Sequence, residues 1–186
     1  MVTGLGAVTP LGGDLATTWS RLLAGEGACA PIRAFPANGH PVRIGCEAVE
    51  FEPERWLDRR ALRRTDRFAQ FAVAAARMAE ADAGLDVAGE PDRVGASIAT
   101  AQGGVASLAA CCAGADEARI HPNLVTAFMP NMAAAWVSIE LGARGPLGAP
   151  CTACAASAMA IGEGYDAIRG RSGRGVSCQA AEWLLP

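Results

Sequence analysis

The sequence predicts an α/β fold built on a parallel sheet. Short apolar segments with strand character alternate with segments of helical periodicity, an order in which strands run parallel and helices cover them. One strand segment, residues 94–100, is predicted to be buried along its whole length. Hydrophobic residues make up 51% of the 186 residues, which argues against disorder, and aromatic residues contribute 5%. The core is therefore expected to be aliphatic and rich in alanine and glycine.

The first part of the chain carries two predicted strands and a short helix. The pattern of residues 2–12 predicts a strand that enters a glycine-rich loop. A helix is predicted over residues 16–24, because Gly25 follows as a C-terminal stop. Proline and glycine punctuate residues 26–53, which predicts loops with one candidate strand at residues 42–49.

The strongest helical pattern runs over residues 63–83. Its apolar side chains recur at spacings that place them on one side of a helix. Thr65 or Asp66 is the candidate N-cap, and Gly84 is the expected end of the helix. One long amphipathic helix is therefore expected in the middle of the chain.

The second part of the chain continues the alternation. The buried strand at 94–100 leads into a glycine pair, and further helices are predicted over residues 132–141 and 154–168. Residues 171–186 show neither strand alternation nor a helical stripe, although the pattern calls for another buried strand there. This last segment is therefore treated as an atypical tail.

Charge and cysteine content exclude several classes of function. The net charge is −3 and the 16 basic residues, all arginine, are scattered, which argues against a nucleic-acid partner. No apolar run free of charge is long enough to span a membrane. The 7 cysteines are an odd number in a long chain without a recognisable signal peptide. We therefore expect reduced thiols and a cytoplasmic location.

Cys154 is the candidate catalytic residue. It lies in the small-residue run at 152–157, where an apolar helical pattern begins. A thiol at the N-terminal end of a helix is close to the positive end of the helix dipole, which favours the thiolate. The small neighbours leave room for a substrate carbonyl, and first-turn N–H groups can face a developing oxyanion. A buried core cysteine is the structural alternative.

Two other chemistries are weaker alternatives. Gly4 and Gly6 follow a predicted strand in the manner of a dinucleotide loop, but the third glycine of that motif is missing. Cys151 and Cys154 form a CxxC, which is found in redox pairs and as half of a zinc site. A zinc site needs a second pair of ligands with suitable spacing, and the sequence offers none.

Several segments, in the same order along the chain, resemble those of β-ketoacyl-acyl-carrier-protein synthases of the elongating type found in bacterial fatty-acid synthesis. The similarity extends from residue 2 to about residue 170. The matching segments are VTGLGAVTPLG at 2–12, RTDRFAQFA at 64–72, RVG at 93–95 with the glycines at 103–104, PNMAA at 130–134, GARGP at 142–146, TACAAS at 152–157 and AIG at 160–162.

The resemblance implies a fold, a reaction and a partner. The fold would be the N-terminal half of a thiolase-like layered α/β fold, which the full-length family assembles as a homodimer. Cys154 would accept an acyl group from acyl carrier protein as a thioester, and its backbone N–H would form part of the oxyanion hole. Malonyl carrier protein would then lose carbon dioxide and attack that thioester, in fatty-acid or polyketide synthesis. No metal or organic cofactor is implied.

The resemblance also implies that part of the catalytic apparatus is missing. The family's two catalytic histidines and its lysine belong to a C-terminal half, and neither His40 nor His121 lies in a family histidine motif. We therefore expect residues 1–170 to be a β-ketoacyl synthase N-terminal domain that is inactive alone and prone to aggregate. Residues 171–186 are interpreted as translated out of frame, or else as the end of a short paralogue. The alternative function is a non-catalytic ketosynthase-like binding partner or a pseudogene product.

Overall fold

The computed structural model describes residues 1–113 and 122–170, and the tail at 171–186 lies outside the described residues. The helices of the described part are α1 (Leu15–Leu23), α2 (Arg59–Leu62), α3 (Arg67–Ala83), α4 (Val105–Ala113), α5 (Leu124–Phe128), α6 (Met132–Leu141) and α7 (Ala156–Arg169). The strands are β1 (Cys29–Pro31), β2 (Ile44–Cys46), β3 (Ala96–Ser97) and β4 (Leu147–Gly148). Short 3₁₀ helices lie at Pro53–Arg55, Pro91–Arg93 and Ala153–Ala155.

Helix α3 forms the centre of the core, and the predicted helix at 63–83 is confirmed with a later start. It ends at Gly84, whose left-handed backbone (φ 60°) lets its N–H close the last turn on Ala81 and Glu80. Asp66 occupies the N-cap position, but its carboxylate does not cap α3. The carboxylate instead accepts a hydrogen bond of 3.1 Å from the N–H of Ser107 in α4.

The main hydrophobic core lies between α3 and α6. It is rich in alanine, as the composition predicts, and its buried members are Leu57, Ala61, Phe68, Ala69, Ala72, Val73, Ala76, Ala96, Ile98, Ala133, Ala134, Trp136 and Val137. At the edge of this contact Arg77 donates to Glu140 at 2.8 Å and joins the two helices. Tight burial of so many small side chains allows the two helix backbones to approach closely.

Strands β3 and β4 pair in parallel, which confirms the predicted strand direction. Ala96 lies opposite Leu147 and Ser97 opposite Gly148. The ladder continues past the regular strands, since the N–H of Ile98 donates to Gly148 at 3.1 Å and that of Thr100 to Pro150 at 3.1 Å. The predicted strand segment at 94–100 is buried throughout, as expected for a strand covered on both faces.

The predicted first strand within residues 2–12 is wrong, because residues 2–8 pair with no strand in the described part and Thr9 forms only an isolated bridge with Gly12. The segment lies against α3 instead. The N–H of Leu5 donates to the Asp82 carboxylate at 2.8 Å, and a Cβ at Gly6 would lie 2.1 Å from the Ala75 carbonyl oxygen. An extended segment becomes a strand only when its backbone groups pair with a neighbouring strand, and here they face a helix.

The candidate strand at 42–49 is shorter than predicted. Only Ile44–Cys46 is regular, and it pairs with Cys29–Pro31 as an antiparallel hairpin that is largely exposed. Over the described residues, no helix is both long and apolar enough to cross a membrane. The described fold is thus a mixed α/β arrangement with one parallel pair in the core and one antiparallel hairpin outside it.

Candidate functional site

The carboxyl ends of β3 and β4 position Cys154. Because the strands are parallel, both chains leave the sheet at the same edge. The last bridge of the ladder joins Thr100 to Cys151, three residues before Cys154. The loop that follows β3 and the segment that leads into α7 therefore lie side by side, and Cys154 lies at the junction of β4 and α7.

A strained turn at Ala153 places Cys154 at the surface. Ala153 has φ 49° and is the only residue other than glycine with positive φ among the described residues. This left-handed conformation costs an alanine about 1–2 kcal/mol. Cys154 follows within the 3₁₀ helix at Ala153–Ala155 and is exposed. Strain of this kind concentrates at functional sites, where it fixes the direction of a reactive group.

Helix α7 begins directly after Cys154, so the predicted start of this helix is confirmed to within two residues. The N-cap residues Thr152 and Ala155 make no side-chain cap hydrogen bond, while the N–H of Ala155 donates to the Thr152 carbonyl at 3.2 Å. The first N–H groups of a helix have no acceptor within the helix itself. The participation of the Cys154 N–H in an oxyanion hole stays a prediction.

The first turns of α7 are held against β3 by small side chains. Ala156 and Ala160 are buried and pack against Ala99, which follows β3. One turn later Ser97 donates a hydrogen bond of 2.7 Å to the Glu163 carboxylate. Neither Ser97 nor Glu163 stands out as a site residue in the sequence. The signal that could have found Glu163 is that it is the first charged residue of the helical pattern after Cys154.

Cys151 does not pair with Cys154. Both thiols are free and exposed, and the Cys151 thiol donates to the Ala101 carbonyl at 3.5 Å. The Thr152 hydroxyl donates to the sulfur of Met159 in α7 at 3.1 Å. These contacts connect the residues before Cys154 to the loop after β3 and to α7.

The two histidines lie elsewhere in the chain. His40 is exposed in the loop between β1 and β2, and its ring packs edge-on against Phe35 at 5.9 Å. His121 lies outside the described residues. Among residues 1–113 and 122–170, no group of three or more His, Cys, Asp or Glu side chains is arranged to hold a metal ion.

The chain matches the family model described as the β-ketoacyl synthase N-terminal domain over residues 1–174. It is 36% identical over 173 residues to 3-oxoacyl-[acyl-carrier-protein] synthase 2 of Staphylococcus aureus, covering 91% of this chain and 43% of that protein. It is 34% identical over 186 residues to the protein of the same name from Synechocystis sp., covering 98% of this chain and 45% of that protein. The chain therefore spans less than half the length of the curated relatives it matches.

Solved structures of ketosynthases share the fold. The ishigamide ketosynthase/chain length factor superposes with a TM-score of 0.77 at 29% identity, covering 92% of this chain and 44% of that chain. A β-ketoacyl synthase from Burkholderia phymatum gives 0.77 at 24% identity, with coverage of 92% and 44%. The type II polyketide synthase complex AntDE:AntF, a ketosynthase with its acyl-carrier protein, gives 0.75 at 22% identity, with coverage of 100% and 51%. The prediction of an N-terminal part of a thiolase-like layered α/β fold is thereby confirmed.

Proposed function

The chain belongs to the β-ketoacyl synthase family, in which it matches the N-terminal domain, and from this we propose that Cys154 accepts the acyl group in a decarboxylating condensation. The full reaction would join an acyl thioester to malonyl-acyl-carrier protein in fatty-acid or polyketide synthesis. The observation that carries this proposal is the exposed Cys154 on a strained turn, directly before the N-terminus of α7.

The local structure supports the acyl-transfer step. The Cys154 thiolate would attack the carbonyl carbon of the thioester and form a new C–S bond, the C–S bond to the carrier protein would break, and the carrier would leave as a thiolate that takes up a proton from water. The oxygen of the tetrahedral intermediate bears the developing charge, and backbone N–H groups at the start of α7 are suited to stabilise it. The alanines beside Cys154 leave space for the acyl chain.

The second step, the decarboxylating condensation, requires hydrogen-bond donors from outside the described residues. Loss of carbon dioxide from malonyl carrier protein generates a carbanion, which attacks the acyl thioester and releases the Cys154 thiol. The carbanion needs hydrogen-bond donors at the adjacent carbonyl, which the family resemblance places in a C-terminal half. We therefore expect the 186-residue chain by itself to be acylated at Cys154 and not to condense.

An acyl carrier protein is the proposed partner, as in the AntDE:AntF complex, and the proposed location is the cytoplasm. A homodimer is proposed for the full-length protein. A non-catalytic partner of a full-length ketosynthase is the second candidate. It is favoured by the exposed apolar side chains of α7, which offer an association surface. These are Met159, Ile161, Tyr165 and Ile168.

The test is acylation of the chain by an acyl-acyl-carrier-protein thioester, followed by peptide mass spectrometry. The expected adduct lies on Cys154 and is lost in Cys154→Ser. Cys151→Ser is the matched control, since Cys151 is also an exposed free thiol, and it should keep the adduct. Equal labelling of every exposed cysteine, or no adduct on Cys154 in a folded chain, would refute the acyl-transfer proposal.

A further inference from the structure

The β1–β2 hairpin holds a second pair of thiols apart from the proposed acylation site. Cys29 in β1 lies directly opposite Cys46 in β2 in the antiparallel register. Both thiols are free, and both residues are exposed. Cys29 also lines an open cleft of about 220 Å³ between α1 and the hairpin, so reagents in solution can reach it.

The hydrogen-bond pattern of the hairpin brings these two side chains close together. The N–H of Ile32 donates to the carbonyl of Arg43 at 3.0 Å, which marks Ile32 and Arg43 as a hydrogen-bonded pair. Such pairs alternate with non-hydrogen-bonded pairs along an antiparallel ladder. The neighbouring pair, Pro31 with Ile44, is therefore non-hydrogen-bonded, which agrees with the lack of an N–H in proline. The pair of Cys29 with Cys46, two residues further along the ladder, is non-hydrogen-bonded as well.

Non-hydrogen-bonded positions suit a disulfide. Opposite Cα atoms at these positions are about 4.5 Å apart, and their side chains lie on the same face of the sheet. A disulfide needs a Cα separation of about 4.4–6.8 Å. A side-chain hydrogen bond with Cys29 is the largest cause of the raised pKa of the Cys46 thiol, which agrees with the placement of both side chains on one face of the hairpin.

We propose that Cys29 and Cys46 are a redox modification site, where a peroxide oxidises the two thiols to a cross-strand disulfide. One sulfur, as the thiolate, attacks the peroxide O–O bond and becomes a sulfenic acid as water or the matching alcohol leaves. The second sulfur attacks the sulfenic sulfur, the S–S bond forms, and water leaves. Each peroxide molecule is reduced by two electrons, and the two thiols lose two hydrogen atoms. An external dithiol reverses the step by thiol–disulfide exchange.

This pair differs from the other cysteines of the described chain. Cys111 and Cys112 are adjacent in α4 and point away from each other around the helix axis. The Cys151 thiol donates a hydrogen bond to the Ala101 carbonyl and lies beside the strained turn before Cys154. Only Cys29 and Cys46, among the described residues, are cross-strand partners in a regular ladder.

The experiment compares the folded full chain with the same chain in urea. Each sample is treated with hydrogen peroxide, remaining thiols are blocked with N-ethylmaleimide, and the digest is analysed without reduction. In the folded chain we expect the peptide containing Cys29 to be linked to the peptide containing Cys46, at a yield several times that in urea. Added dithiothreitol should separate the two peptides again.

Three results would overturn the proposal, and none of them depends on whether a variant folds. A Cys29–Cys46 link that is no more frequent in the folded chain than in urea would overturn it, as would preferential pairing of either cysteine with Cys151 or Cys154. A link between two chains instead of within one would also overturn it. Cys111→Ser is the control variant and should leave the Cys29–Cys46 yield unchanged.

Discussion

The Ser97 hydroxyl donates a hydrogen bond of 2.7 Å to the Glu163 carboxylate and so joins the parallel strand pair to the helix that begins beside Cys154. Ser97 is only 6% exposed, whereas Glu163 reaches it from the surface of α7. The bond fixes α7 along its length, while Ala156 and Ala160 fix its first turns. The position of Cys154 therefore depends on contacts made up to three turns further along the helix.

Glu163→Ala is expected to destabilise the chain by about 1 kcal/mol, because the buried Ser97 hydroxyl then loses its acceptor. Urea unfolding of the full chain measures the change, and Asp166→Ala, an exposed acidic residue on the same helix, is the matched control with little expected effect. A double-mutant cycle with Ser97→Ala isolates the pair. A coupling energy of zero would show that the hydrogen bond does not hold α7.

Gly148→Ala is expected to disrupt the same junction more strongly. A Cβ at Gly148 would lie 2.3 Å from the Glu163 carboxylate and 2.8 Å from the Ser97 hydroxyl, so the two hydrogen-bonded side chains would have to move. Overpacking of this kind costs about 1–3 kcal/mol. Gly162→Ala in α7 is the control, because no atom lies within 4 Å of its added Cβ, and it is expected to stabilise the helix by up to about 1 kcal/mol. Equal loss of stability in both variants would contradict a specific clash at Gly148.

Ala153→Gly tests the strained turn. The substitution removes the left-handed penalty of about 1–2 kcal/mol and adds an entropic cost of about 0.5–1 kcal/mol. The free energy of unfolding is therefore expected to stay equal or to rise slightly. Ala155→Gly, at a residue with ordinary right-handed backbone (φ −87°), is expected to destabilise by about 0.5–1 kcal/mol. Thermal unfolding of both variants checks the contrast, and a clear loss in Ala153→Gly would show that the turn is not strained.

The family and the position of Cys154 at the start of a helix were predictable because they depend on local sequence. The small-residue run around Cys154 and the apolar spacing of α3 and α6 each lie within one segment. The Ser97–Glu163 bond was not predictable in this way, because it joins residues 66 positions apart through a fold that must form first. The left-handed conformation of Ala153 gave no signal either, since alanine has no preference for it.

The error at residues 2–8 has a related cause. An apolar segment beside a glycine-rich loop is typical of a strand, but strand formation also requires a partner for its backbone groups. In the described chain Leu5 bonds to Asp82 and Gly6 lies against the backbone of α3. Periodicity indicates which face of a segment is buried, and it does not indicate which element covers that face.

Asp14, the N-cap of α1, gives a pH-dependent prediction. Its carboxylate caps α1 by accepting from the N–H of Thr17 at 2.8 Å and from the Thr17 hydroxyl at 2.9 Å. The backbone hydrogen bond, followed by the hydroxyl, lowers the pKa of Asp14 below its ordinary value of 3.8. Because the folded-state pKa is the lower one, this stabilisation is fully present above pH 3.8 and is lost as the pH falls through the folded-state pKa.

Asp14→Ala is therefore expected to destabilise the chain by about 1 kcal/mol at neutral pH, the usual cost of removing an N-cap. Asp14→Asn is the matched control, since the amide oxygen can still accept from Thr17 but does not titrate. In urea unfolding as a function of pH, the stability of the wild type relative to Asp14→Asn should fall as the medium becomes acidic. A difference that is constant across the titration would mean that the charge of Asp14 contributes nothing to the cap of α1.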